Sequence, residues 1–186
     1  VRWALCDIAA SDNGVVIAQA LRDGTAVAVS DGSFKDKFGT AAWVIEGRRS
    51  DGRLEGQCII PGGPEDQSAY RSELGGLYAI AAMVQVICEL HNIQEGSIEV
   101  ACDGMNALAQ VGEADPIIRP NGAQYDIIAA TQAKIKRTNI QWKMRHVMGH
   151  QDDTQGCTVM DRWETLNCMM DERVKQHWQH HSTRTT

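Results

Sequence analysis

"AVAVSDGSFKDKFGTAAWVI", residues 26–45, consists of two apolar segments joined by a short polar stretch. Ala26 to Ser30 reads as a continuous buried strand of small residues that ends on an acid, Asp31. A segment carrying glycine and lysine then turns the chain, and Thr40 to Ile45 returns as a second strand. A carboxylate at the end of a buried strand is costly unless it is paired, protonated or bound to a metal. Asp31 therefore calls for partners elsewhere in the chain.

Working outward, Leu54 to Ile60 follows "EGRRSDGR" as a third strand, and three strands with turns between them predict an antiparallel meander. "PGGPEDQ" ends it. Over residues 68–90, Leu74, Leu77, Ile80, Ala81, Val84 and Ile87 have the spacing of a helix with one buried stripe, capped by Ser68. "SIEVAC", 97–102, is a second buried strand, and it runs into Asp103 as the first runs into Asp31. Helices near 105–111 and 123–137, a strand at 140–147 and a helix at 161–178 complete the order. Upstream, residues 12–22 read as a short connecting helix, capped by Asp12 or Asn13 and closed by Gly24. A meander followed by strands that alternate with helices predicts an α/β domain. Its sheet is mixed and five-stranded, the meander plus parallel strands, flanked by helices.

Composition sets the bounds. With 186 residues, 43% hydrophobic and only 4 Pro, the chain fits one domain over 25–178, an N-terminal connector over 1–24 and a C-terminal tail over 179–186. No uninterrupted apolar run approaches the roughly 20 residues that cross a bilayer, so no membrane partner is expected. There is no signal peptide, and the missing initiator Met predicts a segment of a longer chain. Six cysteines without a C-x-x-C pair predict reduced thiols in an intracellular, reducing compartment, cytoplasm or nucleus. A net charge of -6 counts against a nucleic-acid partner when taken alone, but a cluster of metal-binding acids would mask a basic stripe within that sum. Lys134, Lys136, Arg137, Lys143 and Arg145 are candidates for the stripe; a solvated helix end and an exposed strand face are the plainer alternative.

Two neighbouring parallel strands that run into Asp31 and Asp103 would set those carboxylates side by side. Positions 73, 77, 80, 84 and 87 share one helical face, so Glu73 extends the buried stripe toward the sheet. On the last helix, Asn167, Asp171, Val174 and Trp178 follow the same spacing and turn Asp171 inward. Singly, each acid has an ordinary explanation as a turn, cap or first-turn residue or as a solvated side chain. Jointly they repel unless divalent cations neutralise them, and oxygen-only ligands favour Mg²⁺ or Mn²⁺.

"SDGSF", "AYRSELGGL", "EVACDG" and "VMGHQDD...LNCMMDERV" together resemble the successive signatures of the ribonuclease H family over residues 25–178. These are an acid after the first strand, R-x-E-L on the long helix, an acid after the fourth strand, G-H after the fifth and N-x-x-x-D on the final helix. "LNCMMDERVK" and "DGSFKDKFGTAAWVI" look more like the domain of retroelement reverse-transcriptase polyproteins than like the free-standing bacterial enzyme. The resemblance implies a ribonuclease H-like fold and hydrolysis of the RNA strand of RNA/DNA hybrids with two Mg²⁺ ions, Mn²⁺ substituting. The ends left are 5′-phosphate and 3′-hydroxyl. It implies that Asp31 bridges both ions, that Asp171 completes the ion activating the water, and that Glu73 and Asp103 hold the ion beside the leaving 3′ oxygen. It further implies an accessory role for His150 in proton transfer or product release, and substrate contacts from Gly32, Ser33, Arg71 and Asn167. Fusion to a reverse transcriptase in the parent chain, and a monomeric isolated domain, complete the expectation.

Some residues depart from the family pattern. Ala69 and Tyr70 stand where amides often precede the helix glutamate, and Met105 stands where one often follows the acid at 103. Recognition of 2′-hydroxyls then falls to the backbone of Gly32 and Ser33. A zinc site built from His146, His150, Cys157 and Cys168 is disfavoured, because a four-residue step along a strand spans about 13 Å and separates the two histidines. The alternative function is a non-catalytic module of this fold that positions a nucleic-acid enzyme. Another nuclease or an integrase of the superfamily fits the G-H and N-x-x-x-D features less well.

Overall fold

The computed structural model describes residues 1–47, 52–112, 122–148 and 161–182. The elements are β1 (Asp7–Ala10), α1 (Val15–Asp23), β2 (Ala26–Lys35), β3 (Phe38–Glu46), β4 (Leu54–Ile59), α2 (Ala69–Leu90), β5 (Ser97–Cys102), α3 (Met105–Gly112), α4 (Tyr125–Lys136), β6 (Gln141–His146) and α5 (Arg162–Ser182). The sheet runs β1-β4-β3-β2-β5-β6. The β2–β3–β4 meander is antiparallel, and β5 and β6 add in parallel on the β2 side. This is the expected mixed α/β architecture with a sixth strand. β1, drawn from the N-terminal segment, pairs antiparallel with β4.

Alternation along each strand divides two cores. Ala26, Ala28, Ala41, Trp43, Ile45, Ile98 and Val100 face the layer formed by α1 to α4, whereas Val29, Ala42, Val44 and Ala101 face α5 through Leu166, Met170 and Val174. β3 is therefore covered on both faces. Gly56, opposite Trp43 in the ladder, leaves room for the indole, since a Cβ there would lie 2.6 Å from Trp43 Cζ2.

The predicted single stripe of α2 widens to burial nearly all round, because α4 packs on the side away from the sheet. By length and composition α2 is apolar enough to cross a membrane, yet 72% of its apolar window is buried inside the protein, so it is the core helix of the domain. Ser68 caps it as predicted, its Oγ accepting from Arg71 N at 3.0 Å. At α1 the cap position falls to Gly14, at φ 79, and not to Asp12 or Asn13; Asp12 instead accepts from Gly14 N and Val16 N just ahead of the helix, and Gly24 closes it in the left-handed region at φ 70 as predicted.

The segment after Asp31 departs from the expected turn. β2 continues past the acid to Lys35, and the hairpin turns at Asp36 and Lys37, with φ 51 and 61, between the paired residues Lys35 and Phe38. β3 supplies hydrogen-bond partners along that whole length, so the strand has no reason to stop where the apolar residues do. α5 likewise runs on to Ser182, past its predicted end at 178. Near its start Arg162 donates to Glu46 at 2.9 Å and to Gly47 O at 2.7 Å, and Arg53 also binds Glu46. Burial works to raise the pKa of Glu46, but the hydrogen bonds and charges of Arg162 and Arg53 outweigh it and hold the carboxyl below its ordinary range.

Candidate active site

The β2–β5 ladder ends at the pair Val29 and Ala101. Asp31 and Asp103 each lie two residues further on, where β5 stops and β2 continues beside β3. Two-residue periodicity puts both acids on the face of Val29 and Ala101, which is the face covered by α5. Asp171 enters from α5 beside the buried Met170. Two parallel strands and one helix thus bring together three carboxylates that lie far apart in sequence.

Glu73 joins them because α2 crosses the sheet at very short range. A Cβ at Gly32 would stand 2.5 Å from the backbone carbonyl carbon of Ser72, and one at Gly76 would stand 2.9 Å from Ser30 Cβ. The glutamate carboxylate then rests on the backbone after Asp103: a Cβ at Gly104 would meet Glu73 Oε2 at 2.4 Å. Gly32 thus lets α2 lie directly on β2, and Gly104 leaves room for the Glu73 carboxylate.

Asp31 is 5% exposed and accepts a hydrogen bond from the Gly32 N–H at 2.9 Å. Burial, followed by repulsion from Asp103 and Asp171, pushes its pKa up to about 8. Burial and then Asp103 raise Glu73 as well. The buried Cys102 thiol is raised chiefly by its burial, with Asp103, Glu73 and Asp31 adding to the effect. Glu73, Asp103, Asp31 and Asp171 thus form one electrostatically linked group, which brings together all four predicted acids. Such a donor set, anionic and made only of oxygen, fits hard divalent cations such as Mg²⁺ or Mn²⁺. Among the described residues, no three acidic, histidine or cysteine side chains are drawn up as a ready cation cage.

The other predicted residues separate. Arg71 is buried, and its donors are engaged inside the protein: Nε with Pro61 O at 2.9 Å, Nη1 with Gln124 Oε1 at 2.6 Å, and both terminal nitrogens with Asp126 at 2.9 and 2.8 Å. It clamps the start of α2 to the start of α4. Asn167 is buried one turn before Asp171, and its Oδ1 has no hydrogen-bond partner among the described residues. Gly32 and Ser33 are partly exposed on β2, with the Gly32 N–H given to Asp31. His150 and Cys157 lie outside the described residues, and His146 Nε2 bonds with Asp103 O at 3.1 Å.

The five basic residues do not form one stripe. Lys134, Lys136 and Arg137 close α4, whereas Lys143 and Arg145 alternate with core-facing Trp142 and Met144 on β6 and so lie toward α5. Arg145 there pairs with Glu99 at 2.6 Å and stacks over Trp163 at 4.8 Å.

Lys175 escaped the sequence reading, and Tyr70 entered it only as a departure from the family pattern. Lys175 Nζ lies 2.6 Å from Asp171 Oδ2, a relation already present in their four-residue spacing on one helix. Tyr70 sits near Glu73, and its phenol is raised by burial and then by that carboxylate; no local pattern marks it.

No protein-family model matches the chain, and no curated protein matches it. Among solved structures it is similar to LC11-RNase H1 in complex with an RNA/DNA hybrid, with a TM-score of 0.58 and 12% identity over 79% of this chain and 91% of that one. A second structure of LC11-RNase H1, isolated from compost by a metagenomic approach, gives a TM-score of 0.53 and 15% identity over 81% of this chain and 99% of that one. The chain has the α/β ribonuclease H-like fold.

Proposed function

We propose that the chain is a divalent-cation-dependent endonuclease that hydrolyses the RNA strand of RNA/DNA hybrids and leaves 5′-phosphate and 3′-hydroxyl ends. The observation that carries this reading is the electrostatic coupling of Asp31 to Asp103 and Asp171 at the point where β2 and β5 part. Asp31, Glu73, Asp103 and Asp171 would hold two Mg²⁺ ions, with Mn²⁺ able to substitute. When bound, such ions supply the positive charge that generates the nucleophile and stabilises both oxygens of an in-line displacement.

Asp31 would serve both ions, Asp171 would complete the one that activates the attacking water, and Glu73 and Asp103 would hold the one beside the leaving 3′ oxygen. Without a cation, the Asp31 carboxyl holds a proton over much of the neutral range and releases it as the site loads. Gly32, Ser33 and the Oδ1 of Asn167 are the proposed RNA-strand contacts, and His150 the accessory group for proton transfer or product release. The motif resemblance at "LNCMMDERVK" supports a retroelement polyprotein as the parent, fused to a reverse transcriptase. The cysteine content supports a reducing intracellular location.

One observation favours a second reading, a non-catalytic positioning module: Lys175 already neutralises Asp171. A labelled RNA/DNA hybrid incubated with Mg²⁺, Mn²⁺ or EDTA separates the two. Cleavage of the RNA strand that needs the cation and is lost in Asp31→Asn supports the nuclease. Cleavage that persists in excess EDTA, or calorimetry showing no Mg²⁺ or Mn²⁺ binding, overturns it.

A further inference from the structure

At the outer edge of the sheet, Asp7 of β1 pairs with Gln57 of β4 in an antiparallel ladder. Cys6, the residue just before β1, and Cys58 of β4 come next on the two chains, at the positions that would face each other if the register ran one step further. Residues directly opposite in such a ladder have Cα atoms about 4.5 to 5.5 Å apart and side chains on the same face. That separation lies within the span a disulfide closes. The two cysteines also line one cavity of about 270 Å³, together with Trp3, Asp7, Gln57 and His177. Both are free thiols in the structure.

The pair is asymmetric. Cys6 is exposed and its Sγ donates to Trp3 O at 3.3 Å, whereas Cys58 is 1% exposed. Burial pushes the Cys58 thiol up to about 12, and the neighbouring Cys6 adds to that shift. A soluble oxidant reaches Cys6 and not Cys58, so the exposed sulfur would react first and the buried one second.

We propose that Cys6 and Cys58 form a redox modification site that joins β1 covalently to β4 under oxidising conditions. The oxidant is a low-molecular-weight disulfide. The Cys6 thiolate attacks one of its sulfurs, the oxidant's S–S bond breaks, and one small thiolate leaves. Cys58 then loses its proton to solvent and attacks Cys6 Sγ; the mixed disulfide breaks, the second small thiolate leaves, and the Cys6–Cys58 bond forms. Two protein thiols are oxidised and one small disulfide is reduced to two thiols. The high pKa of Cys58 makes the second step the slower one, so an adduct at Cys6 precedes the cross-link.

The test incubates the full chain with oxidised glutathione, quenches with acid and maps peptides by mass spectrometry over time. The expected course is a transient glutathione adduct on Cys6 that converts to a Cys6–Cys58 peptide. The closed loop restricts the unfolded chain, so Tm should rise by about 5–10 °C, reversibly with reductant. Cys6→Ser should lose both adduct and cross-link, and Cys58→Ala should retain the adduct on Cys6. Should the latter fail to fold, the wild-type time course with Cys6→Ser decides. A wild-type chain in which the Cys6 adduct persists, in which Cys6 joins another cysteine, or in which cross-linking leaves Tm unchanged or lower overturns the proposal.

Discussion

A Cβ atom on Gly32 would lie 2.6 Å from the backbone nitrogen of Glu73. The missing side chain at 32 therefore sets how closely α2 lies on β2, and with it the distance between the carboxylates of Asp31 and Glu73. Gly32→Ala should push the helix away at a cost of about 1–3 kcal/mol. A shift of this kind in a positioned site should lower hydrolysis of a hybrid by about 10²-fold. Urea denaturation alongside single-turnover rates checks both halves; a variant with the wild-type rate would show that the spacing is structural only.

Asp31→Asn should abolish cleavage and leave the fold intact. The wild-type carboxyl has its pKa at about 8 in the folded chain, against an ordinary 3.8. Between those values the folded protein holds a proton that the unfolded chain releases. The stability this contributes is fully present below about pH 4 and is lost as pH rises through about 8. Metal-free wild type should therefore lose Tm between about pH 5 and pH 8 relative to Asp31→Asn, and saturating Mg²⁺ should restore it. Thermal melts of both proteins across that range, with and without the cation, read the sign directly. If Asp31→Asn melts lower than wild type at about pH 8 without metal, the carboxylate is structural.

The four acids were legible because each sits on a local pattern: Asp31 and Asp103 follow apolar runs, and Glu73 and Asp171 hold helical spacings. What brings them together, a parallel pair of strands and two helices, is long-range but follows from the order of the elements along the chain. Features that depend on a distant neighbour were not legible. The burial of α2 on its outer side comes from α4. β1 reads as DIAA, four exposed residues without alternation, and is a strand only because β4 offers an edge. The hairpin turn uses Asp36 and Lys37 at positive φ, where glycine or asparagine would have marked it.

Arg71 shows the same limit, since its partner Asp126 lies 55 residues away. A family motif suggests a substrate contact, whereas the guanidinium is spent on the Pro61 carbonyl, Gln124 and Asp126. Lysine cannot reproduce that planar set of bonds, so Arg71→Lys should cost about 1–3 kcal/mol. In a chain of this length Tm should fall by roughly 3–10 °C. KM for the hybrid should stay within about twofold of wild type, because no uniform substrate-binding interaction is removed. A raised KM at unchanged Tm would return Arg71 to the substrate.

Lys175 stands one helical turn beyond Asp171 and holds its carboxylate at 2.6 Å. Lys175 is about half exposed, so the pair adds no more than about 1 kcal/mol to stability. Its consequence for the proposed metal site is larger. A cation bound by Asp171 has to displace or tolerate this positive charge; unscreened repulsion between a divalent ion and an ammonium about 4 Å away is worth about 2 kcal/mol even in a water-like dielectric, and salt and the exposed lysine's freedom to swing away reduce it. Lys175→Met keeps the length of the stem and removes the charge, so Mn²⁺ should bind roughly 3- to 10-fold more tightly, with the difference shrinking as salt screens it. Asp171→Asn should abolish the tighter binding in the double variant, since the carboxylate that pairs with the lysine is then gone. Calorimetric titration of Mn²⁺ into wild type, Lys175→Met and the double variant at two ionic strengths tests each step. Affinity that falls in Lys175→Met would mean that the ammonium orients Asp171 for the ion instead of competing with it.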